Sequence, residues 1–525
     1  MSDVGTDVHD YVIVGAGSAG CVLAARLTED PSASVLLLEA GGEDRKREVR
    51  IPAAFSKLYR SEVDWSYATE PQERLDGRRV YVPRGKVLGG SSSINAQMVI
   101  RGHRADYDGW AALGNAGWGW HDVLPYFERS TAGDGRRFAI TAHKDPNRLT
   151  HTLVEAALES GLPRCDDLNA PEPEGVGYVR VSQRSGRRWS VANGYLHPAR
   201  ARPNLTVRTG AHATRVLLQD GRANGVVYRS AGREEEAHAR REVIVCAGAF
   251  NTPQLLLLSG IGPRDHLAEH GIELEHELPG VGRNLLDHLA AGVLAATRTT
   301  GTLYAAESPR SIARYLLFRR GLLTSNVVEA AALVRTRPEL PAPDLELLFA
   351  PVLFLDEGLT PPSRHGVTVG AVVLQPKSVG WVRLRSPDPF DPPVIEPRYL
   401  SDADGEDLRV LLEGVRLARR VLAAPAFAPH LEEELEPGPT ATTDEEVAAS
   451  VRRLAQTLYH PVGTCRMGTD ENAVVDPHLR VRGLERLRVV DASVMPRLPR
   501  GHTNWPVVMI AEKAAELVRA TAAPR

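Results

Sequence analysis

Cysteine is scarce in this chain. Its four residues, at 21, 165, 246 and 465 of 525, form no Cys-x-x-Cys pair. Such spacing offers neither a zinc site nor a disulfide framework, so no metal is expected and a reducing compartment is the default. Long apolar runs are missing too: no stretch of about twenty uninterrupted apolar residues occurs, and no membrane span is expected. The first ten residues are polar and mostly acidic, without the basic start of a secretory signal, which leaves a soluble cytoplasmic protein as the expectation. With a net charge of −3, composition gives no reason to expect nucleic acid or an anionic membrane as partner. Internal repeats and low-complexity segments are absent, and oligomeric state is not legible. Hydrophobic residues at 43% and charged residues at 25% suit a globular chain, and the length suits two large domains or three smaller ones.

Against these absences, Tyr11-Val-Ile-Val-Gly15-Ala-Gly17-Ser-Ala-Gly20 carries a definite instruction. Its apolar start reads as a buried strand, and residues 19–27 as a helix. Glycine at 15 permits the tight turn, at 17 the close approach of backbone to a pyrophosphate, and at 20 tight packing of helix on strand. The helix N-terminus then offers free N–H groups to phosphates. A second strand, residues 34–38, ends in Glu39, nineteen residues past Gly20, where a carboxylate is expected to hold an adenosine ribose. Strand, turn, helix, strand and acid together point to an adenine dinucleotide. Only one complete Gly-x-Gly-x-x-Gly exists, so a second nucleotide has no evident domain. The bound dinucleotide then does the redox chemistry itself, which favours FAD.

A second glycine- and serine-rich stretch, residues 83–95, suits backbone lying along a flat ligand. Residues 106–129, with Trp110, Trp118 and Trp120, read as a surface helix, a turn and another helix. Strands are expected at 204–209, 213–218 and 225–228 as a meander, and at 241–248 as a buried strand followed by a helix through Leu258. Alternation at 345–349, 367–374 and 380–384 indicates an antiparallel sheet, with a helix over 404–422. The acidic run 431–436 reads as an exposed turn. Residues 487–490 form a short strand, and Asn504 precedes a helix with Pro506 in its first turn.

Five separated motifs then resemble the glucose–methanol–choline oxidoreductases, the FAD-dependent alcohol oxidases and dehydrogenases, over nearly the whole chain. They are the Gly15–Gly20 turn with Glu39, Gly85-Lys-Val-Leu-Gly-Gly-Ser-Ser-Ser-Ile-Asn95, Gly248-Ala-Phe-Asn-Thr-Pro through Gly262, His460-Pro-Val-Gly-Thr-Cys-Arg-Met-Gly468, and Asp491-Ala-Ser-Val-Met-Pro496 with Asn504 downstream. Val99 departs from the pattern, since many members carry an aromatic residue there. The resemblance implies an α/β fold: a doubly wound FAD-binding domain of separated segments (1–150, 203–299 and 457–525) with an inserted substrate domain on an antiparallel sheet (151–202 and 300–456). It implies cofactor contacts from Gly15, Gly17, Ser18, Ala19, Gly20, Glu39 and Ala40. A second set comes from Val87, Gly89, Gly90, Ser91, Asn95, Ala96, Gln97 and Met98, and a third from Ala213, Gly248, Asp491, Ala492, Asn504 and Val507.

The family's chemistry is oxidation of an alcohol, here expected to be a primary one, to the aldehyde, with hydride passing to flavin N5 and reoxidation by oxygen or another acceptor. Such a reaction needs a base for the hydroxyl proton, and histidine titrates in the right range. By resemblance His460 is that base and Asn504, 44 residues further on, its polar partner. Both also admit plainer readings, His460 as a turn residue before Pro461 and Asn504 as a helix cap. Asp491 is likewise either a flavin contact or a strand-end turn. His502 is a second-ranked base, and Tyr459 and Glu329 are candidate pocket residues. Some members attach the flavin through a histidine where this chain has Ile94, so FAD is expected to be held without a covalent bond. Two other classes stay open: a carbon–carbon lyase of the same family that cleaves cyanohydrins without net redox, and a flavin-binding scaffold without turnover.

Overall fold

The computed structural model describes residues 7–132 and 137–522; residues 1–6 of the polar opening stretch lie outside them. One sheet contains Val8–Val14 (β1), Val35–Glu39 (β2), Leu205–Thr209 (β3), Ala211–Gln219 (β4), Arg222–Ser230 (β5) and Arg233–Val245 (β6). Its parallel part runs β3-β2-β1-β6, with the short strand Leu487–Val489 on the far side of β6. The N-terminal half of the long β6 leaves this layer and pairs antiparallel with β5, which pairs with β4. Helix α1 (Ser18–Leu27) buries every residue after Ser18, as its apolar, helix-favouring composition demands. Helix α2 (Gly248–Leu258) follows β6.

The C-terminal helix Asn504–Ala522 packs on α1. Arg26 of α1 donates two hydrogen bonds of 2.8 Å to the Glu512 carboxylate, and the Tyr195 hydroxyl donates a third. Glu512 is buried, so this pairing compensates a charge that water cannot reach.

The second sheet is antiparallel: Leu289–Thr297 (β7), Ala330–Val334 (β8), Leu345–Ala350 (β9), Gly366–Val373 (β10) and Leu431–Glu436 (β11) lie in the order β11-β7-β10-β9-β8, and Gly175–Tyr178 closes the edge beside β8. Helix α3 (Pro309–Phe318) lies outside it, and helix α4 (Glu406–Ala423) crosses one face. Gly414 permits that crossing, since a Cβ there would come 2.4 Å from the Ala371 Cβ.

Several expectations change. Residues 431–436 form the edge strand β11 rather than a turn. Its backbone pairs with β7, while Arg364, Arg419 and Arg453 take up the carboxylates of Glu432, Glu433, Glu434 and Glu436. Charge on an edge strand discourages pairing with another chain. Residues 289–297, expected within the dinucleotide unit, are a central strand of the antiparallel sheet, paired along their length with β10. Conversely Val191, Ala192, Tyr195, Leu196 and Ala199, expected with the substrate unit, pack in one core with α1. Gly380–Arg383 belongs to a separate three-stranded sheet with Arg283–Leu285 and Val394–Glu396. β3 pairs parallel with β2 and is not the start of the meander; Gly210, at φ +66°, turns the chain between β3 and β4. Trp110, Trp118 and Trp120 are buried among Tyr107 and Phe127, because the apolar face of this helical pair lies inward.

Removing the guanidinium in Arg26→Ala strands the Glu512 charge in the core and should cost about 3–5 kcal/mol. The double variant Arg26→Met/Glu512→Leu should recover most of that loss. Urea unfolding midpoints check both, and equal midpoints for wild type and Arg26→Ala would refute the assignment.

Candidate active site

The turn after β1 is built from backbone contact. Gly15 sits at φ +97°, and a Cβ there would meet the Cys246 carbonyl oxygen at 2.6 Å. A Cβ on Gly20 would come 1.9 Å from the Gly15 oxygen, and one on Gly90 2.7 Å from the Gly17 Cα. The two glycine-rich stretches are therefore in direct contact, joined by the Gly89 N–H donating to the Ala16 oxygen at 2.8 Å.

Between the two sheets runs a cavity of about 360 Å³. Gly15, Gly17, Ser18, Ala19, Glu39, Ala40, Gly90, Ser91, Asn95, Ala96, Gln97, Met98, Ala213, Gly248, Asp491, Ala492, Asn504 and Val507 line it, together with His460. Three expected contacts do not: Gly20, Val87 and Gly89 lie behind the wall, where Val87 is buried and bridges to Gly42. Their role is to hold the lining residues in place. Val99 also faces core rather than cavity.

At the end of β2 the Glu39 carboxylate accepts hydrogen bonds of 2.8 Å from the Ala16 and Gly41 N–H groups. Burial pushes its pKa up to about 7 against those two bonds. At the same end of the cavity Trp65, with the Lys86 ammonium 4.5 Å from its ring centre, meets His212 edge to face. Burial, then Lys86, pulls His212 down to about 4, so this ring is neutral. Trp65 and His212 were not foreseen as site residues.

Both oxygens of Asp491 are engaged by protein donors: the Gly248 N–H at 2.9 Å, the Thr252 hydroxyl at 2.6 Å and the Ser493 N–H at 2.8 Å. It ties the start of α2 to the end of strand Leu487–Val489, and burial holds its pKa above the usual carboxylate range. Asn504 is the first residue of its helix, not the cap, because the Val507 N–H bonds to the Thr503 oxygen. Its Oδ1 accepts from the Ser18 hydroxyl at 2.6 Å. The N-termini of α1 and of the C-terminal helix are thus clamped together at the cavity wall, where both favour negative charge.

At the opposite end three histidines converge. The His288 and His460 Nδ1 atoms are 2.9 Å apart, and the His502 ring stands edge to face with His460, centres 4.8 Å apart. His288 Nε2 lies 3.2 Å from the Leu374 carbonyl oxygen, which can only accept. Burial pulls His288 down to about 3, so its single proton sits on Nε2 and its Nδ1 accepts. His460 therefore donates from Nδ1. Burial first, then His502, His288 and Arg84, hold His460 well below the ordinary imidazole range, so it carries one proton and its Nε2 keeps a lone pair. Asp287 fixes the backbone, its Oδ1 accepting from the His460 N–H at 2.8 Å. His502, also on the wall, pairs with the buried Glu346 at 3.2 Å.

His288 was missed in the sequence. Its only signal is the pair Asp287-His288 inside an otherwise apolar run. Tyr459 does line the cavity, whereas Glu329 does not; the latter is a buried structural carboxylate accepting from the Asn147 N–H and the Thr150 hydroxyl. The same cavity wall carries Leu294, Val327, Val328, Leu348, Phe354 and Leu458 together with the polar Asn326, Asp356, Thr368 and Gln456. Among the described residues one group, His266, Glu269 and His270, brings ligand atoms together as a metal site would. The Leu384 N–H bonds to His266 Nε2, so the proton sits on Nδ1, facing Glu269, and His266 has no lone pair left for an ion.

A glycine-built cradle at one end and a neutral imidazole at the other lie on the wall of one cavity. Family profiles described as GMC oxidoreductase match residues 9–290 and 376–511. A GMC-type oxidoreductase of Mycobacterium tuberculosis (strain ATCC 25618 / H37Rv) is 51% identical over 524 residues, 97% of this chain and 99% of its own. The alcohol dehydrogenase [acceptor] of Pseudomonas putida is 44% identical over 529 residues, 97% of this chain and 96% of its own. The crystal structure of formate oxidase from Aspergillus oryzae RIB40, studied for the effect of an R554A mutation on FAD modification, superposes with a TM-score of 0.91 at 29% identity, covering 98% of this chain and 99% of that one. The chain belongs to the GMC oxidoreductase family, and its cofactor is FAD. The residues present fit that group: the cradle has no room for a Cβ at Gly15 and presents a helix N-terminus to phosphates.

Glu39→Ala should weaken FAD binding by about 1.5–3 kcal/mol, roughly 10- to 150-fold in Kd, the size of a lost charge-assisted hydrogen bond. Glu39→Gln, which keeps one acceptor, should lose less. Equilibrium dialysis of apoprotein with FAD measures both, and wild-type affinity in Glu39→Ala would refute the ribose contact.

Proposed function

We propose that this enzyme oxidises a primary alcohol carrying an apolar substituent to the aldehyde. FAD, when bound, supplies the hydride acceptor. The hydroxyl proton goes to His460 Nε2, the one ring nitrogen of the pair without a hydrogen-bond partner among the described residues. The observation that supports this reading is the chain of contacts from the Leu374 carbonyl through His288 to His460, which favours the tautomer with the lone pair on Nε2. Asn504 assists. Because its Oδ1 is taken by Ser18, its amide Nδ2 is free to donate to the developing alkoxide. The apolar side chains of the wall, among them Val327, Leu348 and Leu458, favour an apolar substituent on that alcohol. Oxygen or another acceptor then restores the cofactor. FAD is held non-covalently, since the buried Ile94 has no nucleophile and His103 is occupied in capping the helix Arg104–Ala112 away from the cavity wall.

Anaerobic mixing with a panel of primary alcohols tests the reaction class: flavin absorbance should bleach, and a flavin that stays oxidised with every alcohol while cyanohydrin is cleaved would make the chain a lyase. His460→Ala should slow reduction roughly 10²–10⁴-fold, as expected for loss of a general base. Asn504→Ala should cost about 1–3 kcal/mol, one hydrogen bond. If His502→Ala loses the rate while His460→Ala keeps it, the base is misassigned. Acid precipitation should release free FAD into the supernatant.

The pH profile follows from the sign of the His460 shift. A base must be neutral, the neutral form dominates above the pKa, and burial has moved that pKa well below 6.5. The reduction rate at saturating alcohol should therefore stay level from pH 8 down to about 6 and fall only in more acid solution. A fall centred near 6.5 that His460→Ala abolishes would contradict the buried neutral geometry.

A further inference from the structure

Helix α3 contributes one buried side chain, Tyr315, to the protein. Its last turn leaves Leu316, Leu317 and Phe318 exposed to 60%, 74% and 65%. Ile312 one turn earlier and Tyr304 before the helix are exposed too, so five of the nine large hydrophobic side chains exposed among the described residues fall in one short segment. Scattered apolar residues on a surface need no explanation, but a continuous ridge of them does.

Cations surround the ridge. Arg310, Arg314, Arg319 and Arg320 lie in or beside the helix, and Lys144 reaches the Phe318 carbonyl at 3.4 Å. Acidic groups are few: Asp145 serves both Arg314 (3.5 Å) and Arg320 (2.8 Å), and Glu307 is taken by Lys57 at 2.6 Å. Arg319 lies over the Tyr315 ring, and Arg310 makes no ion pair among the described residues. The chain's overall charge of −3 conceals this local excess.

We propose that α3 docks on an anionic lipid surface, lying in the plane of the interface with Leu316, Leu317 and Phe318 among the acyl chains and the arginines at the headgroups. Ten residues are too short to span a bilayer, but an apolar ridge with a basic rim is the pattern of an interfacial helix. Basic residues near such a surface add attraction that salt weakens. A second copy of this chain is a poorer occupant, because a twofold contact would set these arginines against their own images. Leu322, just beyond the helix, packs on the cluster that holds Phe55, Tyr59, Ile94 and Val327, all of which line the cavity. The segment that follows the docked helix thus packs on residues of the cavity wall.

The test is flotation of the FAD-loaded enzyme with vesicles of phosphatidylcholine alone or with about one third phosphatidylglycerol. Wild type should float with the anionic vesicles, less so at high salt, and remain in solution with phosphatidylcholine alone. Leu316→Glu/Leu317→Glu/Phe318→Glu should lower the bound fraction at least about tenfold, and Arg310→Glu should lower it less, as expected for an interfacial helix losing its apolar ridge or one rim charge. These changes should leave flavin content and turnover of a soluble alcohol unaltered. Equal flotation of wild type and the triple variant would overturn the proposal. So would a concentration-dependent dimer, seen by light scattering and abolished by the triple variant, in a protein that ignores vesicles.

Discussion

The site rests on a contact between two stretches of bare backbone. Gly90 lies so close to Gly17 that no side chain fits between them, and Gly15 lies equally close to the Cys246 carbonyl at the end of β6. Any Cβ at these points would push apart the first strand, the second glycine-rich stretch or the central strand of the parallel sheet. Because they touch, the N-terminus of α1 opens straight into the cavity, and Ser18 can reach Asn504 across nearly the whole sequence. The cradle is therefore less a motif than a junction, and its glycines are sites where three segments share one volume.

At the opposite end burial governs proton positions. Burial, with His502 beside both rings and Arg84 beside His460, holds His288 and His460 well below the ordinary imidazole range, so both stay neutral. Neutrality alone would leave two tautomers for each ring. A carbonyl oxygen that cannot donate removes the choice for His288, and His288 removes it for His460. A main-chain carbonyl, that of Leu374, thereby sets which nitrogen of a cavity histidine is available.

What could be read beforehand was what depends on local backbone. The Gly15–Gly20 turn, Glu39 at a strand end, and the stretch from Gly89 to Asn95 announce themselves because their constraint acts within a few residues. His288 was not legible: its meaning depends on His460, 172 residues away, and on Leu374, 86 residues away. Residues 431–436 were misread for a related reason. A run of glutamates looks like solvent, but its backbone pairs with β7, and arginines from α4, residue 364 and residue 453 take up its carboxylates. Asn504 was recognised as a site residue but misplaced by one step, since sequence signals a helix start without showing which carbonyl accepts its first bond.

The Arg26–Glu512 pairing ties the beginning of the chain to its end, 486 residues apart. On the ribosome α1 emerges early with Glu29 as the one carboxylate near Arg26, and with an apolar face that the C-terminal helix has yet to cover. At a synthesis rate of roughly 5–20 residues per second, the C-terminal helix arrives some tens of seconds to well over a minute later. Until then the cradle lacks Asn504, which bonds Ser18 at the cavity wall, so the dinucleotide site is complete only once the last helix has joined the first.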